Sequence, residues 1–244
     1  MTLNEAITYA GEIDQNGFDS FVIEKKCVGF KNPPLTLKEP RFGQPVLSHF
    51  YVNMRNTGET VKQLKKMAEY LAAFCKTKGI TGDYFLGVPE GATKLGVVAT
   101  MAYCDPDTKV PLSRSKPKEH GDPKDKYYVT PVLKGEKPII VEDVNTTGEG
   151  LIKEVKKALE AGAEPVGVTL VSRLEIRDDR RTVVDVMKEL GVPYYCMSDT
   201  KRLLPMEFQK LTPEEQDFFA PEIEKYYEKY GAIKFPQAEI RKLP

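Results

Sequence analysis

Two adjacent carboxylates, Glu142 and Asp143, follow the apolar run 139–141. A loop of Asn, Thr, Gly and Glu residues at 145–150 comes next, and a helical pattern begins at Leu151. Carboxylates can accept hydrogen bonds from the cis-diol of a ribose or from waters bound to a magnesium ion. Threonine hydroxyls and backbone N–H groups at a helix N-terminus can hold a phosphate. The spacing therefore predicts a site for a sugar phosphate.

Apolar and amphipathic segments alternate along the chain around this site. Continuous apolar runs predict buried strands, and segments with a period near 3.6 residues predict helices. Such strands alternating with helices are typical of an open, mostly parallel sheet with helices on both faces, so we predict an α/β fold. The predicted strands are 84–88, 109–112, 138–144, 165–171 and 194–197, and the predicted helices are 61–78, 94–103, 151–161 and 180–190.

Polar residues follow four of the predicted strands, after Val88, Leu112, Val141 and Val171. Ligands of parallel α/β sheets bind beyond the carboxyl ends of the strands. We therefore expect these four segments to form one pocket.

The chain outside the core has a different character at each end. The first region is irregular, because prolines interrupt its short apolar runs, and we expect a β-containing hood over the site. The last region is charged and aromatic, and we expect a helical C-terminal extension. The predicted regions are the hood at 1–58, the core at 59–199 and the extension at 200–244, with 1–199 as one domain. The elements expected in them are helices at 2–15 and 214–230 and strands at 21–23, 35–38 and 50–52.

The composition excludes several classes of protein. The 244 residues include 36 Lys and Arg and 36 Asp and Glu, so the net charge is zero. General nucleic-acid and membrane binders are normally basic, and we expect neither partner. The four cysteines lie far apart, without the spacing of a metal site or a disulfide framework. With no signal peptide visible and no apolar run long enough to span a bilayer, we expect a cytoplasmic protein.

The segment from Glu142 to Gly148 resembles the phosphoribosyl-pyrophosphate (PRPP) motif of the type I phosphoribosyltransferases. That motif is an apolar strand, two acids, two further residues and Thr-Thr-Gly. The resemblance implies the fold of that family, with Glu142 and Asp143 facing the ribose hydroxyls and the following loop holding the 5′-phosphate. Glu149 stands where a small residue is usual, and we expect its carboxylate to point away from the phosphate. The implied loop residues are Asn145, Thr146, Thr147, Gly148, Glu149 and Gly150.

Residues 112–121 resemble the mobile catalytic loop of the orotate-using members of that family, which ends in Lys, an acid, His and Gly. In homologues this loop reaches across a dimer to the neighbouring subunit's site. The resemblance implies a homodimer. It implies catalytic roles for Arg114, Lys118 and His120, and a PRPP contact for Lys116. From its residues alone, the stretch also fits a solvated charged loop.

Arg173 and Glu175 match the strand-end pattern Asp-Arg-x-Glu of the same members, with Ser172 in place of the Asp. The resemblance implies that Arg173 recognises orotate, and a planar guanidinium suits an anionic pyrimidine. Taken alone, an arginine there could equally form a surface salt bridge.

Two N-terminal segments, 35–38 and 48–55, also resemble parts of these enzymes. They imply that Lys38, and Phe50 or Tyr51 by stacking, contact the base, together with Thr146. Ordinary packing of the hood is the equal alternative for the two aromatic residues.

The segment 87–94 occupies the place of the family's pyrophosphate-binding loop. Gly91 would allow a close approach of the backbone. Lys94 would reach a phosphate, or would simply lie in the first solvated turn of a helix.

The implied reaction is transfer of the phosphoribosyl group from PRPP to orotate. The implied cofactor is Mg²⁺, bound through PRPP without direct protein ligands, with Glu142 or Asp143 contacting it through water. Two alternatives stay open. One is a phosphoribosyltransferase for another base. The other is a PRPP-sensing regulator that binds nucleic acid, against which the balanced charge argues.

Overall fold

The computed structural model describes residues 2–120 and 126–243. Gly121, which ends the catalytic-loop motif, and the following residues to Lys124 lie outside the described residues. The first region forms a two-stranded antiparallel sheet flanked by helices, in agreement with the expected hood. Its elements are α1 (Leu3–Tyr9), α2 (Gln15–Glu24), β1 (Val28–Thr36), β2 (Leu47–Val52) and a 3-10 helix (Met54–Gly58).

The core is a four-stranded parallel sheet, with strands in sequential order from the first edge to the last. This arrangement confirms the predicted α/β fold. The elements are α3 (Val61–Lys78), β3 (Tyr84–Gly87), α4 (Thr93–Tyr103), β4 (Pro138–Asn145), α5 (Glu149–Glu160), β5 (Val166–Ser172), α6 (Val183–Glu189) and β6 (Tyr194–Asp199).

Helices cover both faces of this sheet because its strands are apolar on both sides. Ile139 and Val141 of β4 pack with buried residues of α3 and α4. Ile140, between them, packs with buried residues of α5 and α6 on the opposite face. Side chains along a strand alternate in this way, so each face of β4 receives every second residue.

The C-terminal extension is helical, and it packs against the hood. Its elements are α7 (Thr200–Phe208), α8 (Pro213–Tyr230) and α9 (Gln237–Ile240). Tyr226 and Tyr227 of α8 contact the ring of Phe50 in β2, with centroid distances of 5.0 and 5.8 Å. No helix in the described part of the chain is long and apolar enough to cross a bilayer. The domain bounds 1–199 and 200–244 stay a prediction.

The strand predicted at 109–112 is wrong, and the described sheet has four strands rather than five. Pro111 has no backbone N–H to donate to a strand neighbour. The chain instead pairs locally: Ser113 forms an antiparallel bridge with Tyr128, and the N–H of Val129 donates to the carbonyl oxygen of Leu112.

The first region also contains helix where strand was expected. Residues 21–23 lie within α2. Asp14 caps this helix, and the side chains of Phe18 and Val22, one turn apart on the helix, are buried. The helix expected at 2–15 is shorter, since α1 ends at Tyr9. Residues 21–23 therefore belong to the helical part of the hood and not to its sheet.

The expectation that Phe50 stacks on a base is wrong, because its side chain is fully buried. Tyr51, the next residue of β2, faces the other side of the strand and is half-buried.

We predict that Phe50→Ala lowers the free energy of unfolding by about 3–5 kcal/mol, as for buried aromatic residues in general. Tyr51→Ala should cost clearly less. Urea denaturation measures both, and equal losses would contradict this packing.

Candidate active site

Two neighbouring cavities lie beyond the carboxyl ends of β3, β4 and β5. The first, which we call the loop cavity, has a volume of about 250 Å³ and is bordered by residues 90–95 after β3. The second, the hood cavity, has a volume of about 430 Å³ and is bordered by hood residues 37–55. Asp143 of β4 and Arg55 of the hood line both, so these two side chains connect them. The segments that follow these three strands therefore meet, whereas the segment after Leu112, which was expected to join them, lines neither cavity.

Gly91 lies directly on the carboxylate of Asp143. A Cβ at position 91 would overlap the carboxylate atoms, so a larger residue there would displace the Asp143 side chain. The neighbour at Gly91 is thus a carboxylate of the same chain, and the close approach of this backbone to a pyrophosphate stays a prediction. Burial raises the pKa of Asp143 above its usual value, and the positive charge of Arg55 acts in the opposite direction. A hydrogen-bond donor in either cavity would stabilise the ionised form of Asp143.

Glu142 points to the face of the sheet opposite to that of Asp143. The two acids therefore do not face the same site, although both were expected to face one ribose. The Glu142 side chain is buried, and it lines neither cavity. Its Oε1 accepts a hydrogen bond of 3.1 Å from the N–H of Leu151, in the first turn of α5, while Oε2 has no partner among the described residues. Burial, and then the charge of Asp143, raise the pKa of Glu142 to about 8. Glu142 therefore anchors the helix that follows the predicted phosphate loop.

The loop at 145–150 begins with a side chain that belongs to the core. Asn145 donates to Thr169 at 3.1 Å and to the hydroxyl of Tyr194 at 2.6 Å, and accepts from Ser172 at 3.0 Å. These bonds use the side chain of Asn145, and its carbonyl oxygen accepts a hydrogen bond of 2.9 Å from the N–H of Arg173, so Asn145 is a structural residue of the sheet. Thr146 lines the hood cavity.

The rest of this loop forms the N-terminus of α5. Gly148 has a φ of 73°, a left-handed conformation that suits glycine, and Gly150 leaves room for the Glu142 side chain. The first N–H groups of a helix have no acceptor within it. Glu149 pairs with Arg177 at 2.9 Å, so its carboxylate is neutralised on the outer side of the loop. Sequence reasoning had left the surroundings of Glu149 unexplained.

Thr147 connects this loop to the hood. Its hydroxyl donates to Oε2 of Glu39 at 2.7 Å, and Glu39 in turn lies 3.8 Å from the guanidinium of Arg41. Sequence reasoning missed both hood residues, as well as Arg55. A buried arginine cannot be distinguished from an exposed one by its type, and Arg41 has an exposed fraction of only 1%.

Positive charge is in excess around the hood cavity. Four cationic residues line it, against two carboxylates, Glu39 and Asp143. A third carboxylate, Glu175, lies buried behind the wall and pairs with two of the cations. The balance favours an anionic ligand. The cations are Lys38, Arg41, Arg55 and Arg173, and Tyr51 lines the same cavity.

Arg173 lines the hood cavity but is already held by protein partners. Its Nε donates to Glu175 at 2.6 Å, and its Nη2 donates to Ser48 and to the hydroxyl of Tyr226, each at 3.0 Å. Burial is the largest single effect and acts to lower the pKa of Arg173, but the Glu175 carboxylate and the phenols of Tyr226 and Tyr227 together raise the pKa. Arg173 is therefore a permanently charged part of the wall.

The segment that resembles a catalytic loop lies away from both cavities. Its residues are largely exposed and line neither of them. The backbone N–H groups of Arg114 and Lys118 donate to the carbonyl oxygens of Tyr127 and Lys126, each at 2.8 Å. One described chain therefore does not bring the predicted catalytic residues together with the cavities. Those residues are Arg114, Lys116, Lys118 and His120.

A buried ion pair holds the base of this segment against α5. The hydroxyl of Ser113 donates to Glu154, and Nζ of Lys157 pairs with Glu154 at 2.5 Å. Lys157 also donates to the carbonyl oxygen of Arg114 at 3.5 Å. The helix that begins at the predicted phosphate loop therefore also fixes where the charged segment starts.

Lys94 lines the loop cavity, and its Nζ donates to the carbonyl oxygen of Gly58 at 2.6 Å. That bond holds α4 to the hood while leaving the charge beside the cavity. Within residues 2–120 and 126–243, no group of three or more His, Cys, Asp or Glu side chains is arranged to hold a metal ion.

Comparison with known proteins finds relatives that are orotate phosphoribosyltransferases. No protein-family model matches the chain. It is 30% identical to the orotate phosphoribosyltransferase of Rhodopseudomonas palustris over 167 residues, which cover 64% of this chain and 82% of that protein. It is 28% identical to the orotate phosphoribosyltransferase of Marinobacter nauticus over 221 residues, covering 89% of this chain and 98% of that protein.

Solved structures share the fold. The orotate phosphoribosyltransferase of Francisella tularensis superposes with a TM-score of 0.63 at 17% identity, covering 88% of this chain and 99% of that chain. The UMP synthase of Leishmania donovani has a TM-score of 0.58 at 20% identity, covering 93% of this chain and 41% of that one. Both likenesses concern the fold alone.

The raised pKa of Glu142 predicts a pH-dependent stability. The pKa is about 8 in the folded chain against an ordinary value of 4.5, so the folded state binds more protons between these values. The free energy of unfolding should therefore fall as pH rises through this window, by up to about 1.4 kcal/mol per pH unit. Glu142→Gln, which cannot ionise, should remove this decline. Urea denaturation at several pH values measures it, and the same decline in both proteins would contradict the raised pKa.

Proposed function

This chain belongs to the orotate phosphoribosyltransferase family, and we propose that it transfers the phosphoribosyl group of PRPP to orotate, giving orotidine 5′-monophosphate and pyrophosphate. The observation that carries the proposal is the pair of cavities joined at Asp143. A two-substrate transfer needs adjoining sites for donor and acceptor, with the ribose between them. The volume of the hood cavity also lies within the range of volumes found for small-molecule sites in proteins.

In this proposal PRPP occupies the edge of the sheet from the loop cavity to the N-terminus of α5. The pyrophosphate lies beside Lys94 and Arg55, the ribose hydroxyls donate to Asp143, and the 5′-phosphate accepts from the N–H groups at 146–150. Cationic side chains and free helix N–H groups suit these anionic groups. Glu142 contributes indirectly, by holding the first turn of α5.

The base occupies the hood cavity. Orotate carries a carboxylate, and the excess positive charge of that cavity favours an anion over a neutral base. Tyr51, which faces the cavity, offers an aromatic surface for stacking. Lys38 and Thr146 line the cavity and offer polar contacts to the ring substituents.

The donor set fits Mg²⁺ held through the substrate. Mg²⁺ usually keeps several waters and binds through one or two carboxylates and substrate phosphates. Asp143 is the carboxylate that lines both cavities, and it would contact the ion through water. When bound, the ion supplies neutralisation of the charge that develops on the pyrophosphate.

The catalytic loop serves a second subunit in this proposal. Arg114, Lys118 and His120 lie away from the cavities of their own chain, and a homodimer would bring them to those of the partner. The transition state of this transfer develops positive charge on the ribose and negative charge on the leaving pyrophosphate. Cations positioned beside the pyrophosphate lower that barrier, and closure of the loop excludes water, which would otherwise hydrolyse PRPP.

We assign the enzyme to the cytoplasm. All four cysteines are free, and the thiols of Cys27 and Cys75 are buried. Free thiols are typical of a reducing compartment.

The most direct test of the reaction is an assay with PRPP, Mg²⁺ and a panel of bases. Orotate should give a nucleotide and pyrophosphate, while uracil and purines should react far more slowly because they lack the carboxylate. A faster reaction with a neutral base would support the alternative of a phosphoribosyltransferase for another base. PRPP binding without any product would support the alternative of a PRPP-sensing regulator.

We predict that Lys118→Ala lowers turnover much more than it lowers PRPP affinity. A positioned donor or cation that acts on developing charge is worth about 2.7–4 kcal/mol, or roughly 100- to 1,000-fold in rate. Steady-state kinetics gives the turnover, and calorimetry gives the affinity. Lys62→Ala, which removes an exposed lysine of α3, is the control. Near-normal turnover of Lys118→Ala would refute the assignment of the loop.

A further inference from the structure

Tyr226 of α8, in the C-terminal extension, hydrogen-bonds to side chains in the wall of the hood cavity. We infer that Tyr226 is a positioning residue for the base: directly and through Glu175 it fixes Arg173, a buried cation that lines the hood cavity. The inference rests on the proposed function. It also gives the extension, which lies outside the motifs of the transferase core, a role in choosing an anionic substrate.

The hydrogen bonds form a closed arrangement around Glu175. The hydroxyl of Tyr226 donates to Oε1 of Glu175 at 2.7 Å and accepts from Nη2 of Arg173 at 3.0 Å. Nε of Arg173 donates to the same Oε1 at 2.6 Å. Nη2 of Arg41 donates to the other oxygen, Oε2, at 3.4 Å. Arg41 is also held by the backbone carbonyl oxygens of Glu39, Pro40 and Ile176 at 3.0, 3.3 and 3.3 Å. The phenol of Tyr226 therefore acts on the direction of Arg173.

These hydrogen bonds matter because the charged groups that form them are buried. The Glu175 side chain has no exposed surface, and the side chains of Arg41 and Arg173 have exposed fractions of 1% and 4%. Buried charges need nearly complete hydrogen bonding, because water cannot replace a missing partner. Without the Tyr226 hydroxyl, Glu175 loses a donor and Nη2 of Arg173 loses an acceptor. The guanidinium of Arg173 can then reorient relative to the cavity.

Aromatic packing keeps the Tyr226 ring in place independently of its hydroxyl. The ring contacts Phe50 at 5.0 Å and Tyr230 at 5.2 Å between centroids. The guanidinium of Arg173 lies over the Phe50 ring at 4.2 Å and near the Tyr226 ring at 5.5 Å. A phenylalanine at position 226 would retain these contacts and remove only the polar ones. The role of the hydroxyl is therefore separable from the packing of α8.

Tyr227 provides a matched control on the same helix. It is also buried, and its hydroxyl contacts the hydroxyl of Thr200 and the backbone carbonyl oxygen of Arg173, the latter at 3.1 Å. Tyr227→Phe therefore removes a buried phenol that touches no guanidinium or carboxylate. A purely structural role of α8 would make the two variants behave alike.

The test compares the wild type, Tyr226→Phe and Tyr227→Phe with orotate and with uracil, which lacks the carboxylate. Tyr226→Phe should raise the KM for orotate by about tenfold or more, the usual effect of losing a hydrogen bond to a charged group. The KM for PRPP should change less than about twofold, and the preference for orotate over uracil should fall by about tenfold. Tyr227→Phe should retain both the orotate KM and the preference. Circular dichroism checks that each variant is folded.

Three results would overturn the inference, and they differ in what else they overturn. If the wild type forms no nucleotide from orotate, the proposed function fails and the inference fails with it. If the wild type is active but Tyr226→Phe has unchanged orotate KM and preference, only the inference fails. If both variants lose orotate affinity equally, α8 has a structural role alone and Tyr226 is not a positioning residue.

Discussion

Side chains along a strand alternate between its faces, and at the end of β4 this constraint separates two adjacent acids. Asp143 faces the two cavities under Gly91, while Glu142 faces α5 and accepts the N–H of Leu151. One acid is therefore available to a ligand, and the other fixes the helix whose N-terminus forms the predicted phosphate site. Both roles depend on the same two residues of strand, so a shift of register by one residue would exchange them.

The charges around the hood cavity follow a second constraint, which is that buried ions must be paired. Two arginines share Glu175, and the phenol of Tyr226 completes the set. Such pairing contributes little net stability compared with apolar packing, but it holds the groups in fixed directions. A fixed, positively charged wall is what recognition of an anionic base requires. The hood, the core and the C-terminal extension each supply part of that wall.

The sequence predicted much of this fold because its signals are local and strong. The bounds of α3 match the prediction, since Thr60 and Gln63 form a capping box and Gly79 ends the helix in a left-handed conformation. The strand ends that carry Gly91, Asp143 and Arg173 were also found. The wrong expectations depended on which face of a strand a side chain occupies, or on a neighbouring residue that prevents a strand. Phe50 and Tyr51 are adjacent in a strand and face opposite sides of it. The apolar neighbours of Pro111 favoured a strand, but proline has no backbone N–H to donate to a neighbouring strand. The partners of Arg41 and Tyr226 lie far away along the chain, and no local pattern indicates them.

The central claim is that Asp143, and not Glu142, faces the substrate. The most direct measurement is calorimetric titration of PRPP with Mg²⁺ into the wild type, Asp143→Asn and Glu142→Gln. The two variants remove one charge each from adjacent positions, so they are matched in sequence and differ in the face they occupy. We predict that Asp143→Asn weakens PRPP binding by about tenfold or more, as for a hydrogen bond to a charged group, and that Glu142→Gln remains close to the wild type. Equal losses in the two variants, or a greater loss in Glu142→Gln, would contradict this account.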